Sequence, residues 1–173
     1  ELPPQEMDAI IRSIGRVPKQ RSTAYGEPDA EQVERSYHAP EMLQFLYRMK
    51  GAARLCLVSD SSRALDMPRG LYCLGHRDTG EAFENNGQVG VLPGTDKLAS
   101  SIYALDHMVR AMVRDTEAGV VNAIRMASLT PAERTGLAGD RGSLEVGKLA
   151  DVVVLSPELQ VERTFIGGAE YKK

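Results

Sequence analysis

The sequence is poor in aromatic residues, cysteine and histidine. Aromatic residues make up 5% of the 173 residues, there is no tryptophan, and there are three histidines. The two cysteines, Cys56 and Cys73, lack the paired spacing of a zinc site and the density of a disulfide-stapled secreted domain. We therefore predict reduced cysteines and a cytoplasmic location.

The sequence also lacks long apolar runs and an excess of charge of one sign. No apolar run approaches the length that spans a bilayer, and the N-terminus has no basic-then-apolar signal pattern. The formal net charge is -3 with mixed signs, which leaves no electrostatic footprint for nucleic acid or an anionic membrane surface. We expect a small-molecule partner, no nucleic acid and no membrane. The chain begins at Glu1, which fits a processed or partial product.

One short stretch combines apolar and acidic residues. Four apolar residues, Leu55 to Val58, are followed by Ser59 and Asp60. A short apolar run after a helical pattern predicts a strand that is buried on both faces, as in a parallel sheet. In α/β barrels, groups that do chemistry project from the C-terminal ends of strands. Asp60 is therefore a catalytic candidate, and the alternative is that it caps the next turn.

Apolar periodicity places the other elements. Helical spacing predicts helices before Gly15, over 40–50, from Ser100 or Ser101 through Asp115, and around 120–127. A capping box that begins at Thr130 predicts a further helix ending at Gly136. Strand-like segments occupy 70–75, 87–94, 142–148, 151–155 and 159–166.

Several of these segments occur in the order found in one enzyme family. They are Lys50–Asp60, Met67–Gly75, Gly94–Thr95 with Leu98–Ser101, Met126–Ala132 and Gly142–Leu155. From about residue 38 to 171 the chain resembles the C-terminal part of N-acetylglucosamine-6-phosphate deacetylases, which are members of the amidohydrolase superfamily. The resemblance implies an α/β fold, the C-terminal part of a TIM-like (β/α) barrel plus a small β-sandwich domain. Barrel-type elements are then expected in 38–66 and 95–140, and β-sandwich elements in 67–94 and 141–173.

The resemblance also implies an activity. It is the metal-dependent hydrolysis of the N-acetyl group of N-acetylglucosamine 6-phosphate or a related amino-sugar phosphate, giving acetate and the free amine. In that family one or two divalent metals activate a water, and the strand-end aspartate moves its proton. The matching aspartate is Asp60, and substrate contacts fall on His38, Leu98, Ala99 and Ser100.

The chain departs from the family's pattern in its metal site. Zinc is the metal that the resemblance favours, yet the family's glutamate and two histidines have no counterpart before His38. Asp60 is the one recognisable candidate ligand. A barrel of this kind needs roughly 250 residues. A homo-oligomer or a complementing chain is therefore a further expectation. The alternative function is a non-catalytic fragment or binding module of amidohydrolase ancestry, and a third interpretation is a segment missing near Ser36 to His38.

Residues 1–37 lie outside this resemblance and are interpreted as helix and loop of unclear origin. The stretch from Gly15 to Arg21 faintly resembles the tail of radical SAM enzymes of the deazaflavin and futalosine synthase type. The chain has no cluster-binding cysteine triad, so we do not expect it to carry that chemistry.

Overall fold

The structure is a computed structural model that describes residues 40–76, 78–95 and 97–172. The helix predicted before Gly15 and the candidate His38 lie outside these residues. The helices and strands within the described ranges are α1 (Pro40–Lys50), β1 (Gly70–Leu74), β2 (Glu81–Asn85), β3 (Gly90–Val91), β4 (Leu98–Ser100), α2 (Leu105–Asp115), α3 (Gly119–Ala127), α4 (Leu129–Thr135), β5 (Val152–Leu155), β6 (Val161–Ile166) and β7 (Ala169–Tyr171). None of the helices in this part of the chain combines the length and apolar character needed to cross a membrane.

The helices carry the main apolar core. Val109 and Met112 on α2 and Met126 on α3 are buried, and they form one cluster with small residues of the connecting segments. Leu55 and Leu57 pack against this cluster from the side. The apolar residues whose helical spacing predicts α1, α2 and α3 therefore face one common core.

The strand predicted over Leu55–Ser59 is wrong in two respects. The segment has no partner strand among the described residues, and its neighbour Ser61 makes a single parallel bridge to Ser101. Only alternate side chains are covered, since Cys56 is exposed and the exposed fraction of Val58 is 72%. A β-strand needs a neighbouring strand for its backbone hydrogen bonds. Here α2 and α3 cover one side of the segment, and its other side is open.

Two antiparallel sheets complete the described structure. The first has the strand order β1-β2-β3-β4, and its best-buried side chains are Phe83 and Asn85 on β2. The second has the order β5-β6-β7. β5 and β6 match the predicted strands at 151–155 and 159–166, although Val153 is half exposed. The strand predicted over 142–148 is absent, because the chain there makes turns closed by short contacts such as Lys148 Nζ to Ser143 Oγ.

Two helix starts differ from the prediction. Ser100 belongs to β4 and Ser101 is bonded to the 60–62 segment, so α2 begins only at Leu105. Thr130 lies inside α4, where its buried hydroxyl donates to the Ala52 carbonyl 2.7 Å away instead of capping the helix. In both places the residue predicted to cap a helix instead forms hydrogen bonds to a distant segment: Ser101 through its backbone and Thr130 through its hydroxyl. Gly136 ends α4 in a left-handed conformation (φ 76°), as predicted.

Candidate active site

An open cavity of about 550 Å³ lies beside the segment from Leu55 to Asp60. Side chains of α1 and α2 form much of its wall, with Leu43, Leu46 and Met108 among them. Val89 approaches from the connection between β2 and β3, and Tyr103 from the loop before α2. The cavity is concave and mostly apolar with a few polar groups, which is the usual character of a small-molecule site.

Asp60 lies on this cavity in an uncommon backbone conformation. Its φ is +47°, in the left-handed region that few residues other than glycine adopt. The residue is exposed, and its carboxylate has no hydrogen-bond or ion-pair partner within the described ranges. The carboxylate therefore does not cap the following turn, and it is open to a ligand.

Ser101 fixes the backbone on both sides of Ser61. The Ser101 amide donates to the Asp60 carbonyl (3.1 Å), and the Ser62 amide donates to the Ser101 carbonyl (2.9 Å). Ser101 itself is 3% exposed, and its hydroxyl accepts a hydrogen bond from the Tyr103 amide at 3.0 Å. The end of the segment with Asp60 is thus tied to the loop that follows β4.

Other titratable groups also border the cavity. Asp115, at the end of α2, accepts two hydrogen bonds of 2.8 Å from the Arg114 guanidinium, so its charge is already paired. The His107 ring stacks on Tyr103, with 4.0 Å between the centroids and 13° between the planes. Of the two carboxylates on the cavity, Asp60 is the one without an ion-pair partner.

The predicted substrate contacts at 98–100 lie about forty positions after Asp60 in the sequence, and they do not border the same cavity. Leu98, Ala99 and Ser100 form β4, with Ser100 paired to Gly90 and Leu98 paired to Val91. The side chain of Leu98 is half exposed, whereas Ser100 is 5% exposed and its hydroxyl has no partner within the described part of the chain. Their contact with a substrate stays a prediction, as does that of His38, which lies outside the described residues.

Sequence reasoning missed the role of Ser101 and Ser62. The sequence predicts Ser101 as a possible helix cap and as part of the Leu98–Ser101 segment that resembles the family, and it predicts no role for Ser62. A serine pair carries no periodicity or motif that would reveal a contact across about forty residues, and only the tertiary structure brings Ser62 and Ser101 together.

A metal site is not formed by this part of the chain. No three His, Cys, Asp or Glu side chains lie close enough to hold an ion among residues 40–76, 78–95 and 97–172. Asp60 is the accessible carboxylate on the cavity, and a single carboxylate does not make a closed or catalytic zinc site, which takes three or four protein ligands.

Comparison with known proteins gives consistent matches. The amidohydrolase family model matches residues 74–170, more than half of the chain. The chain is 38% identical over 114 residues to N-acetylglucosamine-6-phosphate deacetylase of Mus musculus, a match that covers 66% of this chain and 27% of the mouse protein. It is 40% identical over 115 residues to a putative N-acetylgalactosamine-6-phosphate deacetylase of Escherichia coli (strain K12), a match that covers 66% of each. The chain thus spans about a quarter of the length of the mammalian relatives it matches.

Solved structures agree with the sequence matches. The chain superimposes on N-acetylglucosamine-6-phosphate deacetylase of Thermotoga maritima with a TM-score of 0.70 at 25% identity, over 80% of this chain and 36% of the other. It superimposes on an Asp-to-Ala variant of the Mycobacterium smegmatis enzyme, in complex with N-acetyl-D-glucosamine-6-phosphate, with a TM-score of 0.72 at 27% identity.

These structures have a TIM barrel amidohydrolase domain and a small β domain. The predicted fold class is therefore confirmed, although the described residues form no closed barrel of their own. The predicted resemblance is confirmed as well: the chain belongs to the amidohydrolase family.

Proposed function

We propose that this chain takes part in the hydrolysis of the N-acetyl group of N-acetylglucosamine 6-phosphate or a related amino-sugar phosphate. The products are acetate and the free amine. The observation that carries the proposal is Asp60, an exposed and unpaired carboxylate on an open cavity, at the position that resembles the family's proton-transfer aspartate. The similar proteins named as deacetylases support the substrate class, and they do not favour a non-catalytic binding module.

Asp60 has the chemistry that this reaction needs. A water oxygen attacks the acetamide carbonyl carbon while Asp60 takes the water's proton as general base. The C–N bond then breaks, its electron pair stays on the nitrogen, and the Asp60 carboxyl returns the proton there. An accessible carboxylate without an ion-pair partner is free to serve in both steps.

The substrate contacts of the proposal lie on β4 and before α1. β4 consists of Leu98, Ala99 and Ser100. The next residue, Ser101, donates its amide to the Asp60 carbonyl, so β4 is connected to the backbone of Asp60. His38 is the fourth proposed contact. An amino sugar held by β4 would bring its acetamide towards the end of the Leu55–Asp60 segment.

The amidohydrolase family generally uses a divalent metal, and we propose zinc for this chain. A bound metal of this kind lowers the pKa of a coordinated water and polarises a carbonyl. The described residues do not fit such a site on their own, because no group of three ligand side chains lies together in these ranges. Asp60 is the ligand that this part of the chain offers.

The proposal extends to location and assembly. Cys56 and Cys73 are both free thiols, which fits a reducing compartment such as the cytoplasm. A homo-oligomer or a complementing chain is the proposed protein partner, since exposed apolar side chains such as Val58 beside an open apolar cavity are typical of an interface. Light scattering of the purified chain, alone and with candidate partners, measures its oligomeric state directly.

The test of the proposed function is acetate release. The purified chain is loaded with Zn²⁺, its metal content is measured, and acetate is assayed with N-acetylglucosamine 6-phosphate and with N-acetylgalactosamine 6-phosphate. We expect turnover that falls by about 10²–10⁴-fold in Asp60→Asn, the usual contribution of a positioned acid or base. Unphosphorylated N-acetylglucosamine is the matched substrate control.

Two outcomes contradict the proposal. The first is a folded, zinc-loaded chain that releases no acetate. The second is equal turnover by the wild type and Asp60→Asn. Binding of the sugar phosphate without hydrolysis points instead to a binding module.

A further inference from the structure

The backbone around Asp60 is held by one residue from a distant part of the chain. Asp60 is in the left-handed region (φ 47°), a conformation that persists in a non-glycine residue only when its surroundings fix it. Ser101 makes a hydrogen bond on each side of Ser61. The Ser101 amide donates to the Asp60 carbonyl, and the Ser62 amide donates to the Ser101 carbonyl. The Ser62 hydroxyl adds a third, longer bond of 3.3 Å to the Ser101 carbonyl.

The Ser101 side chain fixes the residue that makes these bonds. Ser101 is almost completely buried, and its hydroxyl accepts the Tyr103 amide at 3.0 Å and lies 3.4 Å from the Tyr103 carbonyl. These contacts close the turn between β4 and α2. Without the hydroxyl this hydrogen bond from the Tyr103 amide is lost, and the turn that places the Ser101 amide against the Asp60 carbonyl is less constrained.

We propose that Ser101 is a positioning residue for Asp60, acting through its main chain and held in place by its own hydroxyl. The inference rests on the proposed function of Asp60 as the proton-transfer group. Proton transfer needs the carboxylate within hydrogen-bond reach of the reacting atoms. A carboxylate on a left-handed residue at the end of an unpaired segment keeps its direction only if the backbone that follows it is fixed, and the Ser101 bonds fix the two peptides on either side of Ser61.

Substituting the hydroxyl alone tests the proposal. In Ser101→Ala we expect kcat for acetate release to fall on the order of 10- to 100-fold with little change in KM, as for other residues that orient a reacting group. Ser101→Thr keeps the hydroxyl and should restore most of the loss. In the Asp60→Asn background the same Ser101→Ala substitution should cause no further loss, because the two residues act as a unit.

Thr130→Val is the matched control. Thr130 is also a fully buried hydroxyl with one hydrogen bond to a main-chain carbonyl, but it lies at the core and does not border the Asp60 cavity. Its loss should lower Tm and leave kcat unchanged within twofold. A fall in kcat that follows the fall in Tm in both variants would show that Ser101 is merely structural.

Amide hydrogen exchange gives a readout that needs no activity. The Ser62 and Ser101 amides should exchange slowly in the wild type and at least about tenfold faster in Ser101→Ala, with the β1–β2 amides unchanged. Unchanged exchange in Ser101→Ala, or an equal kcat loss with and without the Asp60 carboxylate, would overturn the proposal. Should the wild type release no acetate, the proposed function fails, and the exchange rates still decide whether Ser101 holds Asp60.

Discussion

Replacing Asp60 by glycine should stabilise the chain slightly while removing the proposed activity. A residue with a Cβ loses about 1–2 kcal/mol in the left-handed conformation, and aspartate lies at the lower end of this range because its side chain tolerates the region. Glycine loses about 0.5–1 kcal/mol more backbone entropy on folding. The difference is a net gain of up to about 0.5 kcal/mol, or up to about 1–2 °C in Tm for a chain of this length.

Replacing Asp60 by alanine should lower Tm, whereas glycine should raise it. Alanine keeps the Cβ that crowds the left-handed conformation and lacks the short polar side chain that makes it tolerable, so Asp60→Ala should be the least stable variant. We expect the order of Tm to be Gly above Asp, Asp close to Asn, and Ala lowest. Thermal unfolding followed by circular dichroism measures this order.

Asp66 supplies a control for acetate release. Its φ is +58°, it is exposed, and it does not border the cavity. Substitutions at Asp66 should therefore leave acetate release unchanged. If Asp60→Gly lowers Tm below that of the wild type, the Asp60 carboxylate contributes to stability and the reasoning from backbone strain is refuted.

Three further predictions concern stability. A Cβ at Gly142 would lie 2.7 Å from a side chain of α4, whereas at Gly147 it would meet open space, and both residues have positive φ (89° and 94°). Gly142→Ala should therefore cost about 1–3 kcal/mol more in urea unfolding than Gly147→Ala, and equal costs would contradict the overlap. Asn85→Ala should cost about 1–3 kcal/mol, because the buried amide donates to three carbonyls of the 64–68 turn and accepts the Gly87 amide; a loss below that of a typical surface substitution would contradict this role. Hydrogen bonds from Arg48 lower the pKa of Glu117 below its ordinary value of 4.5, so the stability from this pair is present above that pH and is lost as the pH falls through the lowered pKa. The Tm advantage of the wild type over Glu117→Gln should therefore shrink below pH 4.5, and a constant difference would contradict the prediction.

Elements whose partners lie nearby in sequence were predictable. The apolar stripes of α1, α2 and α3 fix three helices because each stripe marks one covered face, whatever covers it. Gly136 marks the end of α4 because a left-handed residue is needed there. The strands β5 and β6 follow from apolar and alternating runs separated by a short turn.

Predictions that depended on a distant partner failed or stayed open. The run from Leu55 to Val58 has the composition of a buried strand, but backbone pairing needs neighbouring strands, and none pairs with it among the described residues. Thr130 has the local pattern of a cap, yet its hydroxyl bonds to Ala52 across the fold. The local sequence does not predict which distant carbonyl will accept a hydrogen bond from a hydroxyl that could otherwise cap a helix.

The amino-acid sequence alone identifies a candidate group: a carboxylate after an apolar run, within an ordered set of segments that resembles one enzyme family. The conformation and surroundings of that carboxylate follow from the tertiary structure. It places Asp60 in a left-handed conformation on an open cavity and ties its backbone to Ser101. The type of a side chain is local information, whereas its surroundings include backbone hydrogen bonds to a residue about forty positions away.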